Sequence, residues 1–189
     1  MKKISLGTRI STFPMPAAVI SVGIGTEANL ITLAFVGKVC IRPPIVVISM
    51  QPIRHSYHLI EKHGEFVINY PSKNQMKEMD YCGTRSGRDV NKWEVLGLTK
   101  EPGEIVKVPM IQEFPWNMEC MVENKLKLGS HICYFGKVVA VHSDPQYVKD
   151  NKIDPDLLDT FTYISGNYLE IKRGVLGRHG FSMKQLPIL

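Results

Sequence analysis

Two short polar stretches hold the side chains best suited to gripping an anion. Arg54-His55-Ser56-Tyr57 follows a strongly apolar run and opens a helix. Free N–H groups at a helix start favour negative charge, a hydroxyl there adds a donor, and the arginine fork matches phosphate oxygens. The same residues equally make a plain helix cap beside a solvated arginine. Ser86-Gly87-Arg88-Asp89-Val90-Asn91-Lys92 is a second donor-rich turn at a helix entry, open to the same two readings. His55 and His58 have a spacing that suits a metal, with His63 nearby. No cysteine or carboxylate cluster with ligand spacing accompanies them, which favours surface histidines. Gly23-Ile24-Gly25-Thr26-Glu27-Ala28 begins like a dinucleotide fingerprint, but it lacks the third glycine and runs into a strand, so it reads as a hairpin turn. Neither a GxxxxGK[ST] loop nor a Gly-x-Ser-x-Gly elbow occurs, which removes the ordinary P-loop and hydrolase chemistries.

The elements that position these turns read as mostly strands. Residues 17–22 and 29–35 form a hairpin across the glycine-containing turn. Pro43-Pro44 introduces a strand over 45–50, whose unbroken apolar and β-branched character predicts burial on both faces. A helix over 56–63 stops at Gly64, and 65–70 is the next strand. Ser72 with Gln75 has the capping-box form and predicts a helix over 74–81. Asp89 is expected to cap a short helix through Trp93 and Leu96, closed by Gly97. Two longer strands, 118–128 and 131–141, flank the Gly129-Ser130 turn. Residues 143–159 read as loops and short helices, 162–164 and 168–171 as edge strands, and 174–180 as a glycine-rich tail. This order favours a closed or partly closed antiparallel barrel over a doubly wound sheet.

The chain has 189 residues, 44% hydrophobic and 22% charged, and this suits one soluble domain with a single core. No stretch reaches the roughly 18 apolar residues that a membrane span needs. The N-terminus turns polar too soon for a signal peptide. Cys40, Cys82, Cys120 and Cys133 are widely spaced and read as free thiols in a reducing, cytoplasmic setting. The net charge of +5 is spread without a basic run, so it fits a nucleotide-like ligand as well as nucleic acid.

Several stretches together resemble the flavin-reductase-like family of FMN-binding split barrels, of which the flavoredoxins are members. They are Asn29-Leu30-Ile31-Thr32-Leu33-Ala34, the Pro43-Pro44 strand ending Ile48-Ser49, Arg54-His55-Ser56-Tyr57, Gly64 to Asn69, and Tyr81 through Trp93 with its SGRDVNKW core. The resemblance covers most of residues 7–145. It implies a mainly β, six-stranded antiparallel split barrel spanning residues 1–189, with a C-terminal extension at 172–189. It also implies a homodimer with FMN near the interface. Thr32, Leu33 and Ala34 would face the isoalloxazine, with Asn29 nearby, and Ser49, Met50 and Gln51 would edge the ring. Arg54, Ser56 and Tyr57 would hold ribityl and phosphate, while Cys82, Gly83, Ser86 and Lys92 would complete the cradle. Phe35 stands where many relatives carry tryptophan, and the position of Cys82 varies among them. The implied activity is electron transfer from NAD(P)H or reduced ferredoxin to an acceptor, with no side chain acting as nucleophile or base. A flavin-binding module without turnover is the milder alternative. A nucleic-acid-binding barrel is the remote one, since its strands should interleave aromatic with basic residues and these strands are apolar.

Overall fold

A computed structural model describes residues 3–8, 13–154, 157, 159–172, 174–177 and 179–184. The first hairpin is β1 (Ala18–Val22) and β2 (Asn29–Leu33), joined through a single 3-10 turn at Gly25–Glu27. β3 (Val36–Cys40) and β4 (Ile45–Met50) follow, then α1 (Ser56–His63), which Gly64 ends in the left-handed conformation. β5 (Glu65–Tyr70) leads into the Ser72–Gln75 capping box, which starts a 3-10 turn and then α2 (Met76–Thr84). α3 (Lys92–Val95) is capped by Asn91, whose side chain accepts from the Trp93 N–H. The expected cap, Asp89, lies too early: its N–H belongs to a turn closed on the Ser86 carbonyl.

The two-residue strands β6 (Lys100–Glu101) and β7 (Met110–Ile111) pair with each other. β8 (Trp116–Leu128) and β9 (His131–Ser143) make the long hairpin about Gly129-Ser130. Beyond it, β10 (Val148–Lys149) pairs with β11 (Lys152–Ile153), and β12 (Phe161–Ile164) with β13 (Asn167–Glu170). The last pair was expected as edge strands of the main sheet. It is a separate hairpin, tied to the chain start by two backbone bonds between Met15 and Tyr163.

Seven strands form one antiparallel sheet in the order β2-β1-β5-β8-β9-β4-β3, one strand more than expected because β3 escaped notice in the sequence. Its edges, β2 and β3, are consecutive in the chain and separated by Ala34-Phe35, so the sheet curls until its ends nearly meet. The Ser49 N–H donates to the Phe35 carbonyl at 2.9 Å, which carries the β3–β4 ladder one residue into the link between the two edges. The inner face holds the main core, including Ile20, Ile48, Met50, Phe66, Ile68 and Tyr134. β4 departs from the expected two-sided burial. Val46, Ile48 and Met50 are buried, while Ile45, Val47 and Ser49 are only half-buried. A second core under α2 and α3 unites Val19, Leu30, Met79, Cys82, Trp93 and Phe114, and fixes both helices on the outer face of β1–β2. No helix among the described residues is long and apolar enough to cross a membrane.

Candidate functional site

The seam of the curled sheet is also its cleft, and two lobes of that cleft meet at Ile31, Arg54 and Gly83. The first lobe, about 260 Å³, lies between the ends of β2 and β4. Thr32, Leu33 and Ala34 form one wall, and Ser49, Met50 and Gln51 the other. Phe35, His131, Met15 and Tyr163 close its margins. An apolar slot with a polar edge suits a flat ring that carries a few hydrogen-bonding atoms.

The second lobe, about 240 Å³, is basic. Arg54, Arg85, Arg88 and Lys92 line it, and among the described residues no carboxylate does. α1 opens into it with no side chain capping its start; the Tyr57 N–H closes on the Arg54 carbonyl at 3.0 Å, and the positive end of the helix still favours an anion. Ser56 is buried at the first helical position, where its hydroxyl oxygen accepts from Asn29 Nδ2 at 2.9 Å and its own proton stays free to donate. Ser86 lies opposite, its Oγ accepting the Arg88 N–H at 3.2 Å. Arg88 in turn donates to the Ile53 carbonyl at 3.1 Å, so the two polar turns found in the sequence are stitched together.

Lys92 is the least expected member. It is 2% exposed, and its Nζ donates to the carbonyls of Leu30 at 2.6 Å and Cys82 at 2.8 Å. No carboxylate among the described residues pairs with it. Burial, helped by the nearby Arg54, lowers its pKa. A buried ammonium that meets only neutral oxygens lacks a counter-charge, and it lines an open lobe where an anion would supply one. Burial also pushes the adjacent Cys82 thiol up to about 12, against the pull of Lys92, so it is neutral.

The lobe is kept open by glycine. A Cβ on Gly87 would fall 2.4 Å from Asn29 Oδ1 and 2.6 Å from the His55 ring. Behind it His55 packs edge-on against His58, with ring centroids 4.7 Å apart, and its Nδ1 is buried without a partner. His63 pairs instead with Glu27. Burial, with His58, Arg88 and Lys92 close by, lowers the His55 pKa and keeps the ring neutral.

Thirteen of the fourteen residues singled out from the sequence line one lobe or the other. Tyr57 does not; it is half-buried and packs against the main core. Arg85, Arg88, His55 and His131 were missed as lining residues. The first three sit inside the motifs already noted and could have been taken with them. His131 reaches the slot only through the β4–β9 pairing.

A mainly β split barrel with an apolar slot running into a cationic lobe defines a class of flavin-binding redox proteins. The chain belongs to the flavin reductase like domain family, whose model matches residues 10–172. An uncharacterized protein of Pyrococcus abyssi is 34% identical over 68% of this chain and 73% of its own length. The NADH-dependent FMN reductase AsuE2 of Streptomyces nodosus subsp. asukaensis is 24% identical over 69% of each. Among solved structures, the flavoredoxin from Methanosarcina acetivorans matches with a TM-score of 0.91 and 25% identity, covering 98% of this chain and 100% of that one. The flavoredoxin of Desulfovibrio vulgaris (Miyazaki F) matches at 0.88 and 27%, covering 96% and 100%.

Proposed function

We propose that this chain is a cytoplasmic FMN-dependent oxidoreductase that works as a homodimer and receives electrons from a reduced nicotinamide or a reduced ferredoxin-like protein. The observation that carries the reading is the carboxylate-free lobe with its buried, acid-free Lys92, joined to an apolar slot. FMN has that form, a flat ring system at one end and a phosphate monoester at the other. Bound there, the flavin supplies the two-electron chemistry, and the protein binds and orients it. Thr32 to Ala34 and Ser49 to Gln51 take the ring. Arg54, Ser56, Ser86 and Lys92 take the phosphate end, with Asn29 orienting Ser56 and Cys82-Gly83 forming the wall between them.

The dimer reading rests on the outer face of the sheet. Ser49, Cys133 and Leu126 are cross-strand neighbours on it, and Leu128 and His131 continue the same row. Leu126 and Leu128 are 50% and 54% exposed, and Phe35, 40% exposed, lies against His131 with the rings tilted and their centroids 5.3 Å apart. Phe35, Ser49 and His131 also rim the apolar slot, so a second subunit seated on this face would cover the ring.

The deciding experiment is the visible spectrum of the purified protein, with identification of the flavin released on denaturation and titration of the flavin-free protein with FMN, FAD and riboflavin. Yellow protein that releases FMN and binds it more tightly than riboflavin is expected. A colourless protein that binds no added flavin would overturn the proposal.

A further inference from the structure

A third lobe adjoins the ring slot and meets the basic lobe at Gly83 and Thr84. It holds about 300 Å³ between α2 and the β12–β13 hairpin, and Thr32, Ala34, Gly83 and Tyr163 belong to both it and the slot. The shared wall is low because two of these residues are small. A Cβ on Gly83 would already stand 3.1 Å from the Thr32 Cβ and narrow the opening.

Its chemistry differs from that of the phosphate end. Tyr163 and Tyr168 present their rings, with centroids 5.5 Å apart, above a floor that includes Ala17 and Gly166. Tyr168 donates its hydroxyl to Asp80 Oδ1 at 2.8 Å, which pins the hairpin to α2. Lys73 reinforces that pin from Asp159 at 3.1 Å and from Glu170. The Tyr163 hydroxyl makes no hydrogen bond among the described residues, although it stands beside the ring slot. No described lining residue of this lobe is cationic, and its one charged residue is Asp80.

We infer that this lobe receives the ring of an uncharged planar carbonyl compound, of the quinone class, which accepts the electrons of the flavin. The inference rests on the flavin reading given above. Aromatic walls favour a flat ring, and a free phenol favours a carbonyl oxygen. Asp80, in a lobe that no described cation lines, disfavours carboxylates, sulfonates and phosphates. The reaction balances: the quinone gains two electrons and two protons and becomes the hydroquinone, while the reduced flavin loses the same and returns to its oxidised form. Tyr163 orients the carbonyl, and Tyr168 with Asp80 holds the wall against which the ring lies.

The test uses the flavin-loaded protein, reduced anaerobically with dithionite so that no natural donor is needed. Its reoxidation is followed with 1,4-naphthoquinone, with the 2-sulfonate of the same quinone, and with ferricyanide, which needs no ring pocket. Benzamide and benzenesulfonate, neither of them redox-active, are titrated into the oxidised protein through changes in the flavin spectrum. The neutral quinone and benzamide are expected to be favoured at least tenfold over their sulfonated counterparts. Tyr168→Ala lines only this lobe, so it should erase that preference and leave FMN affinity and the ferricyanide rate within about twofold. Tyr168→Phe should keep the ring and most of the preference. Asp80→Asn, which removes the lobe's one described charge and keeps an acceptor for Tyr168, should narrow the preference toward the sulfonates. Equal use of neutral and sulfonated rings by the wild type, or a preference that Tyr168→Ala and Asp80→Asn leave intact, overturns the assignment. Failure of the wild type to bind flavin at all would instead overturn the reading beneath it.

Discussion

Arg54 and Lys92 both face the basic lobe, but their surroundings give them different mutational signatures. Arg54 is exposed and its side chain makes no hydrogen bond or ion pair among the described residues, so Arg54→Ala would remove the proposed phosphate contact and little else. A charge-assisted hydrogen bond contributes roughly 1.5 to 3 kcal/mol, so FMN affinity should fall about tenfold to a hundredfold with the unfolding midpoint unchanged. Riboflavin affinity should hardly move. Lys92→Ala should weaken FMN comparably but also destabilise the fold, because it strips two buried carbonyls, Leu30 and Cys82, of their donor. That cost is on the order of 1 to 3 kcal/mol per group. Isothermal titration and urea unfolding of both variants separate the two signatures. FMN affinity preserved in both would show that the phosphate lies elsewhere.

Cys82 offers a simpler check. Its thiol is 1% exposed and its pKa is raised to about 12, so almost no thiolate exists at pH 8. Cys40 and Cys133 are only partly buried. Iodoacetamide at pH 8 should label those two first, with Cys82 and Cys120 protected until the protein unfolds. Peptide mapping by mass spectrometry gives the order, and early modification of Cys82 would contradict the burial described for it.

The loop between β6 and β7 shows how one side chain holds a whole segment. Glu119 on β8 is fully buried and accepts the backbone N–H groups of Glu104, Ile105 and Val106 at 2.7 to 2.8 Å. His142 on β9 makes a fourth contact at 2.6 Å. Burial alone would raise its pKa, but the three N–H donors and His142 outweigh it and hold the carboxyl below its ordinary value of 4.5. The stabilisation is therefore complete above about pH 4.5 and is lost as pH falls through the lower folded value. Urea unfolding should show a declining midpoint across that acid range. Glu119→Gln should unfold earlier at pH 7, by on the order of 2 to 3 kcal/mol, and show a flatter acid decline. An unchanged midpoint would mean the loop is held by Val106 and Val108 in their small core instead.

The assembled molecule raises the question of what covers the sheet's outer face. If a second copy does, dimerisation and flavin occupancy must be coupled, because Phe35, Ser49 and His131 belong to both the face and the slot. Light scattering should find a dimer. Leu126→Glu on the exposed face should dissociate it and weaken FMN binding together, by at least tenfold in affinity. A monomer with full FMN affinity would defeat that coupling. The C-terminal extension is proposed to reach the partner's slot, and Phe181 is exposed on it. Residues 173, 178 and 185–189 lie outside the described part of the chain. A chain ending at Ile171 tests the idea. A dimer with unchanged FMN affinity would remove the tail from the site and leave the dimer standing.

Local chemistry determined much of this protein from its sequence. The Gly64 stop, the Ser72–Gln75 capping box and the Gly129-Ser130 turn are encoded within a few residues, and each forms where expected. The two polar turns were likewise visible, since an arginine or lysine beside a helix start announces itself. Errors arose where a local rule had competitors. Asn91 lies one residue from α3 and displaced Asp89 as its cap. Apolar β-branched residues in β4 fit equally a strand buried on both faces and one whose second face awaits a partner. Only the tertiary structure brought Asn29 to Ser56 and Lys92 to Leu30, because curling a seven-stranded sheet until its edges meet depends on long-range pairings such as β4–β9, whose partners Met50 and Ile132 lie far apart in the chain. It alone turned Lys92 from a surface cation into a buried one, and it alone set Tyr163 beside the slot and Tyr168 in the lobe that adjoins it. Burial and long-range register are properties of the closed sheet, and no window of sequence contains them.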